Sequence, residues 1–196
     1  MTTRTAATAA LALAAALVLA GCSAGSEDDS TPVTEDDSTE QAAGVNDADV
    51  MFASMMIVHH EQAIEMSNIV LAKDDVDPEV ATLAEEIKAA QGPEINQLNG
   101  WLDDWGVDPD EREIDGMDHG DGMMSEEDLA ALEAASGTEA SRLFLEQMIV
   151  HHEGAVEMAQ TQVEDGSDPA AIELAQTIID DQTAEIQEME DLLASL

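Results

Sequence analysis

The sequence predicts an all-α protein, an antiparallel four-helix bundle built from two similar helical hairpins. Three observations predict it. "MIVHHE" occurs at 56–61 and again at 148–153, and the match widens to 52–70 against 144–162. Each repeat then carries an Asp-Pro pair, Asp77-Pro78 and Asp168-Pro169, the signature of an N-cap followed by proline in the first helical turn. Strand signals are missing, with no Tyr, two Phe and abundant Ala, Leu, Glu and Gln.

From the N-terminus, residues 1–21 read as a signal peptide, with Arg4 and an apolar run from Ala9 to Ala20 too short to span a bilayer comfortably. The run ends in "LAGC", which resembles the lipobox of bacterial lipoproteins. That resemblance implies cleavage before Cys22 and a diacylglyceryl group on its sulfur, anchoring the protein outside the cytoplasm. Cys22 is the chain's single cysteine, so no thiol is left for a disulfide, a nucleophile or a thiolate metal site. Residues 22–46 are small, polar and acidic and read as a disordered tether. Residues 47–196 then form one domain, long enough to bury a core.

Within the domain the first helices of the two hairpins are expected at 47–73 and 139–164, and the second at 78–104 and 169–195. The repeats so defined cover 47–104 and 139–195. Gly92-Pro93 should kink the second helix of the first repeat. A linker, 105–138, joins the hairpins through a Gly/Asp/Met loop and a short helix near 126–136, opened by a capping box from Ser125 to Asp128.

Asp and Glu total 45 against 5 Lys and Arg, a formal net charge of −40. No basic patch exists to neutralise phosphates, which excludes nucleic acid as a partner. The membrane is met only through the lipid, and no feature of the sequence identifies a protein partner. The charge suits solubility outside the cell and concentrates cations near the domain.

Four of the five histidines lie in the repeated hexapeptides. At about 100° per residue, Met55, Met66, His59, Phe52, Ala63, Met56 and His60 share an arc of about 140°, whereas Glu61 and Glu65 fall opposite. The second copy matches, with Met158 on the stripe of His151 and Met148 on that of His152, while Gln147 replaces Met55. His59 and His151 each lie thirteenth from the expected helix start, so both pairs sit at one height in a bundle.

Buried imidazoles need polar partners, and a core poor in Tyr, Thr and Asn supplies few. A metal ion would satisfy them. Histidine with methionine and no cysteine suits copper, thioethers favouring Cu(I), whereas zinc rarely recruits methionine. The candidate ligands are Met55, Met56, His59, His60, Met66, Met148, His151, His152 and Met158. A second candidate cluster, Met117, His119, Met123 and Met124, sits in the linker "GMDHGDGMM". A ferritin-type di-iron site would need Glu-x-x-His. Met56, Ile57, Met148 and Ile149 stand there instead.

"FASMMIVHHEQAIEMS", "GMMSEEDLAALEAASG" and "FLEQMIVHHEGAVEMA" together resemble the domain-of-unknown-function-305 family, over roughly 47–195. The resemblance implies a ferritin-like helical bundle. It also implies copper handling through Met56, His59, His60 and Met66 and their counterparts Met148, His151, His152 and Met158, since some bacterial members of the family bind copper outside the cytoplasm and are linked to copper resistance.

Three functions remain open. The leading expectation is a non-catalytic, lipid-anchored copper protein for buffering or resistance. The others are a metal-dependent oxidase, for which no base stands out, and a metal-free interaction module with a buried histidine network or pH sensor.

Overall fold

A computed structural model describes residues 44–112 and 122–196. The signal peptide, Cys22, the tether up to residue 43, Met117 and His119 lie outside the described residues.

Four long helices dominate: α1 (Asp47–Leu71), α2 (Pro78–Asp104), α5 (Gly137–Asp165) and α6 (Pro169–Ser195), with short α3 (Pro109–Arg112) and α4 (Glu126–Ala134) between the hairpins. Among the described residues there is no strand. No helix among them is long and apolar enough to cross a membrane. Helix starts follow the caps. Asp77 and Asp168 accept from the first-turn amides of α2 and α6, each ahead of a proline. Asn46 with Asp49 and Ser125 with Asp128 close capping boxes on α1 and α4. Asn46 also donates to the Asp165 carbonyl and to Ser167 Oγ, both at 2.8 Å, so the end of the expected tether is stitched to the α5–α6 turn.

Two details depart from expectation. α5 begins at Gly137, two residues early, where a positive φ of 58° suits glycine. α3 carries no apolar periodicity; Arg112 holds it by donating to the Val107 carbonyl and to Asp103. α2 stays one helix, Pro78–Asp104, across Gly92-Pro93, where a kink is expected. The amide that Pro93 lacks would have served the carbonyl of Ala89, which is exposed and can turn to water.

α1 packs on α2 and α5 on α6, and the hairpins meet along α1 and α5. The latter run antiparallel. The approximate two-fold symmetry extends to the ends: Asp49 accepts from the amide of the α6 N-cap Asp168, and its counterpart Ser141 accepts from the amide of the α2 N-cap Asp77.

The core is divided. One cluster joins Phe52, Met56, Leu98 and Leu102 to Ala155, Leu174 and Ile178. The other joins Met66, Val70, Leu83 and Ile87 to Leu132, Phe144, Met148 and Met189. Each fully buried Leu, Ile, Met or Phe contributes roughly 1.5–3 kcal/mol. α4 caps the second cluster through Leu132, while among the described residues no helix covers the opposite end in this way. Between the two clusters lies a polar layer.

Candidate metal centre

The layer is built by the doubled histidines. Adjacent residues on a helix point about 100° apart, so each pair serves two interfaces at once. His59 faces across the α1–α5 seam and meets His151, ring centroids 3.7 Å apart and tilted by 41°. His60 turns to α2, where its Nε2 lies 2.8 Å from Glu94 Oε2. His152 turns to α6, its Nε2 2.7 Å from Glu185 Oε2. All four imidazoles are buried, at 0–1 % exposure, whereas the two glutamates reach the surface at 19 % and 21 %.

A carboxylate accepts only, so Nε2 of His60 and of His152 donates, and in the neutral form of either ring the lone pair is on Nδ1. Neither Nδ1 has a hydrogen-bond partner, and neither has any nitrogen of His59 or His151. The His59 backbone comes near His151 and slightly favours its proton, without a properly directed hydrogen bond. Both amide atoms of buried Gln91 and Oε1 of buried Gln182 are also unpartnered. Such groups each cost roughly 1–3 kcal/mol. Burial, reinforced by the His60 and His152 charges, lowers the His59 pKa to about 3. Burial, followed by the neighbouring imidazoles, holds His151 well below the usual histidine range. Both rings are therefore neutral at ordinary pH, with lone pairs available to a cation.

Glu94, Glu185, Gln91 and Gln182 escaped the sequence reading. The signal existed: "QGPEI" at 91–95 and "QTAEI" at 182–186 share Gln-x-x-Glu-Ile at matching places in the two repeats. A Glu-x-x-His pattern on the histidine helices does not reach carboxylates supplied by the second helix of each repeat.

The methionines divide into groups. Met56 and Met148 are fully buried, one helical turn before the histidines of their own helices. Met66 is fully buried in the cluster capped by α4. Met55 and Met158 are half-buried and line a surface cleft of about 430 Å³ together with Met51. Met123 and Met124 are half-buried at the end of the linker. Met124 is locked to α1, its amide donating to Gln62 Oε1 at 2.7 Å and its carbonyl accepting from Gln62 Nε2 at 2.9 Å.

Gly122 fixes the same segment to α5. Its φ is +99°, and a Cβ there would sit 2.7 Å from the Val150 carbonyl oxygen and 3.0 Å from the Gly154 Cα. Gln62 and Gly154 are counterparts in the repeat, one grasping the linker and the other making room for it. Gly122→Ala is expected to lower stability by about 1–3 kcal/mol, from backbone strain plus overlap with α5. Urea denaturation checks this; an unchanged midpoint would show that the linker does not seat against α5.

Among the described residues, no three His, Cys, Asp or Glu side chains converge in metal-holding geometry. What the layer supplies is paired imidazole nitrogens with Met56 and Met148 beside them on the same helices. That donor set fits a soft cation served by few ligands better than a tetrahedral zinc site.

A model of a domain of unknown function, DUF305, matches residues 49–193. A DUF305 protein of Streptomyces coelicolor described as secreted superposes with a TM-score of 0.70 at 36 % identity, covering 76 % of this chain and 91 % of that one. A DUF305 fragment from Deinococcus radiodurans gives 0.66 at 30 % identity, covering 78 % and 99 %. CopM in its Cu(I)-bound form gives 0.63 at 32 % identity, covering 75 % and 96 %, and CopM has Cu(II)-bound and silver-bound structures as well. No curated protein sequence matches the chain. With the family match spanning most of the chain and the helical repeats superposing on solved members, this protein belongs to the DUF305 family.

Proposed function

We propose that this protein binds copper outside the cytoplasm, taking Cu(I) into the histidine layer and holding or passing it on without turnover. The observation that carries the reading is the set of buried imidazole nitrogens left without partners on His59, His60, His151 and His152. A metal-free histidine network would hydrogen-bond its own members. Met56 and Met148 add thioethers suited to the cuprous state. Glu94 and Glu185 orient two of the rings, and their negative charge offsets that of an incoming cation. CopM, with its copper-bound forms, supports the choice of metal. The oxidase alternative gains two inward carboxylates from α2 and α6. Each already pairs with a single histidine, and among the described residues no three acids and histidines form a shared cluster.

We further infer a lipid anchor at Cys22, from "LAGC", and a location on the outer face of the cell membrane. The secreted description of the Streptomyces protein agrees with an extracytoplasmic place. The linker methionines and His119 serve as accessory ligands; the primary site is the helix-borne layer.

The test is Cu(I) competition against a chromophoric chelator, on protein purified without a histidine tag. The contact of His59 with His151 across the seam supports one shared centre. Either double change, His59 with His60 to Ala or His151 with His152 to Ala, is expected to abolish tight binding. Glu94→Gln or Glu185→Gln should weaken it about 10–100-fold, as expected of a residue that orients a ligand. Wild-type affinity no better than that of the quadruple histidine variant sinks the proposal.

A further inference from the structure

The surface cleft near the N-terminal end of α1 is not explained by the histidine layer. Its walls carry Met51, Met55 and Met158, and its rim carries Asp47 and Asp165. Met51 is 49 % exposed, a large apolar side chain kept in water. It begins a ladder. Met51, Met55 and His59 follow one another at intervals of four along a single face of α1, and their burial rises from half-exposed through half-buried to complete. On α5, Met158 stands two turns from His151 along a similar face. The cleft thus opens to solvent at one end and approaches the layer at the other.

The repeat gives a control within the molecule. By symmetry, Met51, Met55 and Met158 correspond to Leu143, Gln147 and Met66. That end is closed: α4 lies over it, Leu143 and Met66 pack in the α4-capped cluster, and Gln147 Nε2 donates to the Asp128 carbonyl at 2.9 Å. Where the surface is covered, the thioethers at the first two positions are replaced by a packing leucine and an anchoring glutamine. Where it is open, all three positions are methionine. Simple core-filling does not call for thioethers at a half-exposed position.

We propose that Met51, Met55 and Met158 form a soft-metal capture site, separate from the histidine layer, that takes a monovalent ion of the Cu(I) and Ag(I) class and delivers it along α1 to His59. Thioethers are neutral and do not titrate, so the site discriminates by softness rather than charge and does not lose its ligands to protons. The acidic rim and the net charge of −40 raise the local concentration of cations of every kind, and the sulfurs select among them. No bond is made or broken beyond coordination, and no redox partner is required. The destination of the ion rests on the copper reading above; the cleft's own affinity does not.

Silver is the probe, because it stays monovalent. Ag(I) binding is measured by titration calorimetry and native mass spectrometry on the full domain, in wild type, in the Met51→Leu/Met55→Leu/Met158→Leu variant, in the quadruple histidine-to-alanine variant, and in the combination. The histidine variant is expected to retain a weaker silver equivalent that the combination lacks. The methionine variant should keep the affinity of the layer but fill it measurably more slowly, because the acidic rim remains and only the sulfurs that select the ion are lost. Should the triple variant misfold, Met51→Leu alone, at a half-exposed position, should weaken the same equivalent. Equal silver binding and equal filling rates with and without these sulfurs overturn the proposal. If the histidine variant instead keeps the tight class, the copper reading fails and the cleft is judged by the methionine comparison alone.

Discussion

Replacing His59 and His151 together with leucine is expected to abolish tight Cu(I) uptake and, at the same time, to stabilise the metal-free protein. These rings meet at a tilt across the seam between the hairpins with four nitrogens lacking partners. Leucine is of similar size, removes the unmet polar groups and joins the core clusters on either side. At roughly 1–3 kcal/mol per unmet group, partly offset by imperfect repacking, the gain should be about 2–5 kcal/mol. For a domain of this size that is on the order of 10 °C in the thermal midpoint. Thermal denaturation with a strong Cu(I) chelator present checks the stability and chelator competition checks the binding. A less stable variant would mean that the layer is already satisfied without metal.

The same pair sets a pH dependence. Folded His59 has its pKa lowered to about 3 and folded His151 is also well below normal. In the unfolded chain both bind protons below about pH 6.5. Between the two values the unfolded state holds more protons, so the neutral rings' contribution is complete above pH 6.5 and is lost progressively toward the folded pKa. Each ring contributes a slope of up to roughly 1.4 kcal/mol per pH unit. Relief of carboxylate repulsion opposes this closer to pH 4, so the clean window is pH 7 to 5. Wild-type stability should fall across it, and the leucine variant should show a much flatter profile. Parallel profiles would show that these histidines do not remain neutral on folding.

The second large effect is expected at Asp49, where Ala should cost about 3–5 kcal/mol. Fully buried at the start of α1, its carboxylate accepts from Asn46 N at 2.8 Å, Gln162 Nε2 at 2.6 Å, Ser167 N at 3.0 Å and Asp168 N at 3.1 Å. Burial pushes its pKa up, but these donors outweigh it and hold the group below the usual carboxylate value, so it stays charged. Its stabilisation is present above pH 3.8 and lost on stronger acidification, a window below that of the histidines. Removing it strands donors at the point where α1 meets the α5–α6 turn, and hydrogen bonds to a charged acceptor are the costly ones to break. Asp128→Ala is the control. It also closes a capping box, on α4, but is exposed, and should cost about 1 kcal/mol. Equal losses in urea denaturation would mean that Asp49 does no more than cap a helix.

The sequence by itself determined the helices, their caps and the repeat. Those depend on contacts a few residues apart: Asp77-Pro78 and Asp168-Pro169 start second helices, and the spacing of Met56, His59, His60 and Ala63 places them on an apolar stripe. Their places at the middle of α1 and α5 also brought the two histidine pairs to one height. Only the tertiary structure decided what the imidazoles meet. Turning His59 onto His151 and His60 onto Glu94 depends on how the hairpins dock and on side-chain directions from three helices, and no local spacing encodes that. The methionines show the same limit. By periodicity Met55, Met66 and Met158 share a stripe with the histidines, yet α4 buries Met66 while leaving Met55 and Met158 in an open cleft. Which end of a nearly symmetric bundle is covered is set by a linker helix whose anchors, Gln62, Gly122 and Gln147, are contacts between residues far apart in the chain. A helical period fixes the face on which a side chain lies; what covers that face is fixed by packing between segments.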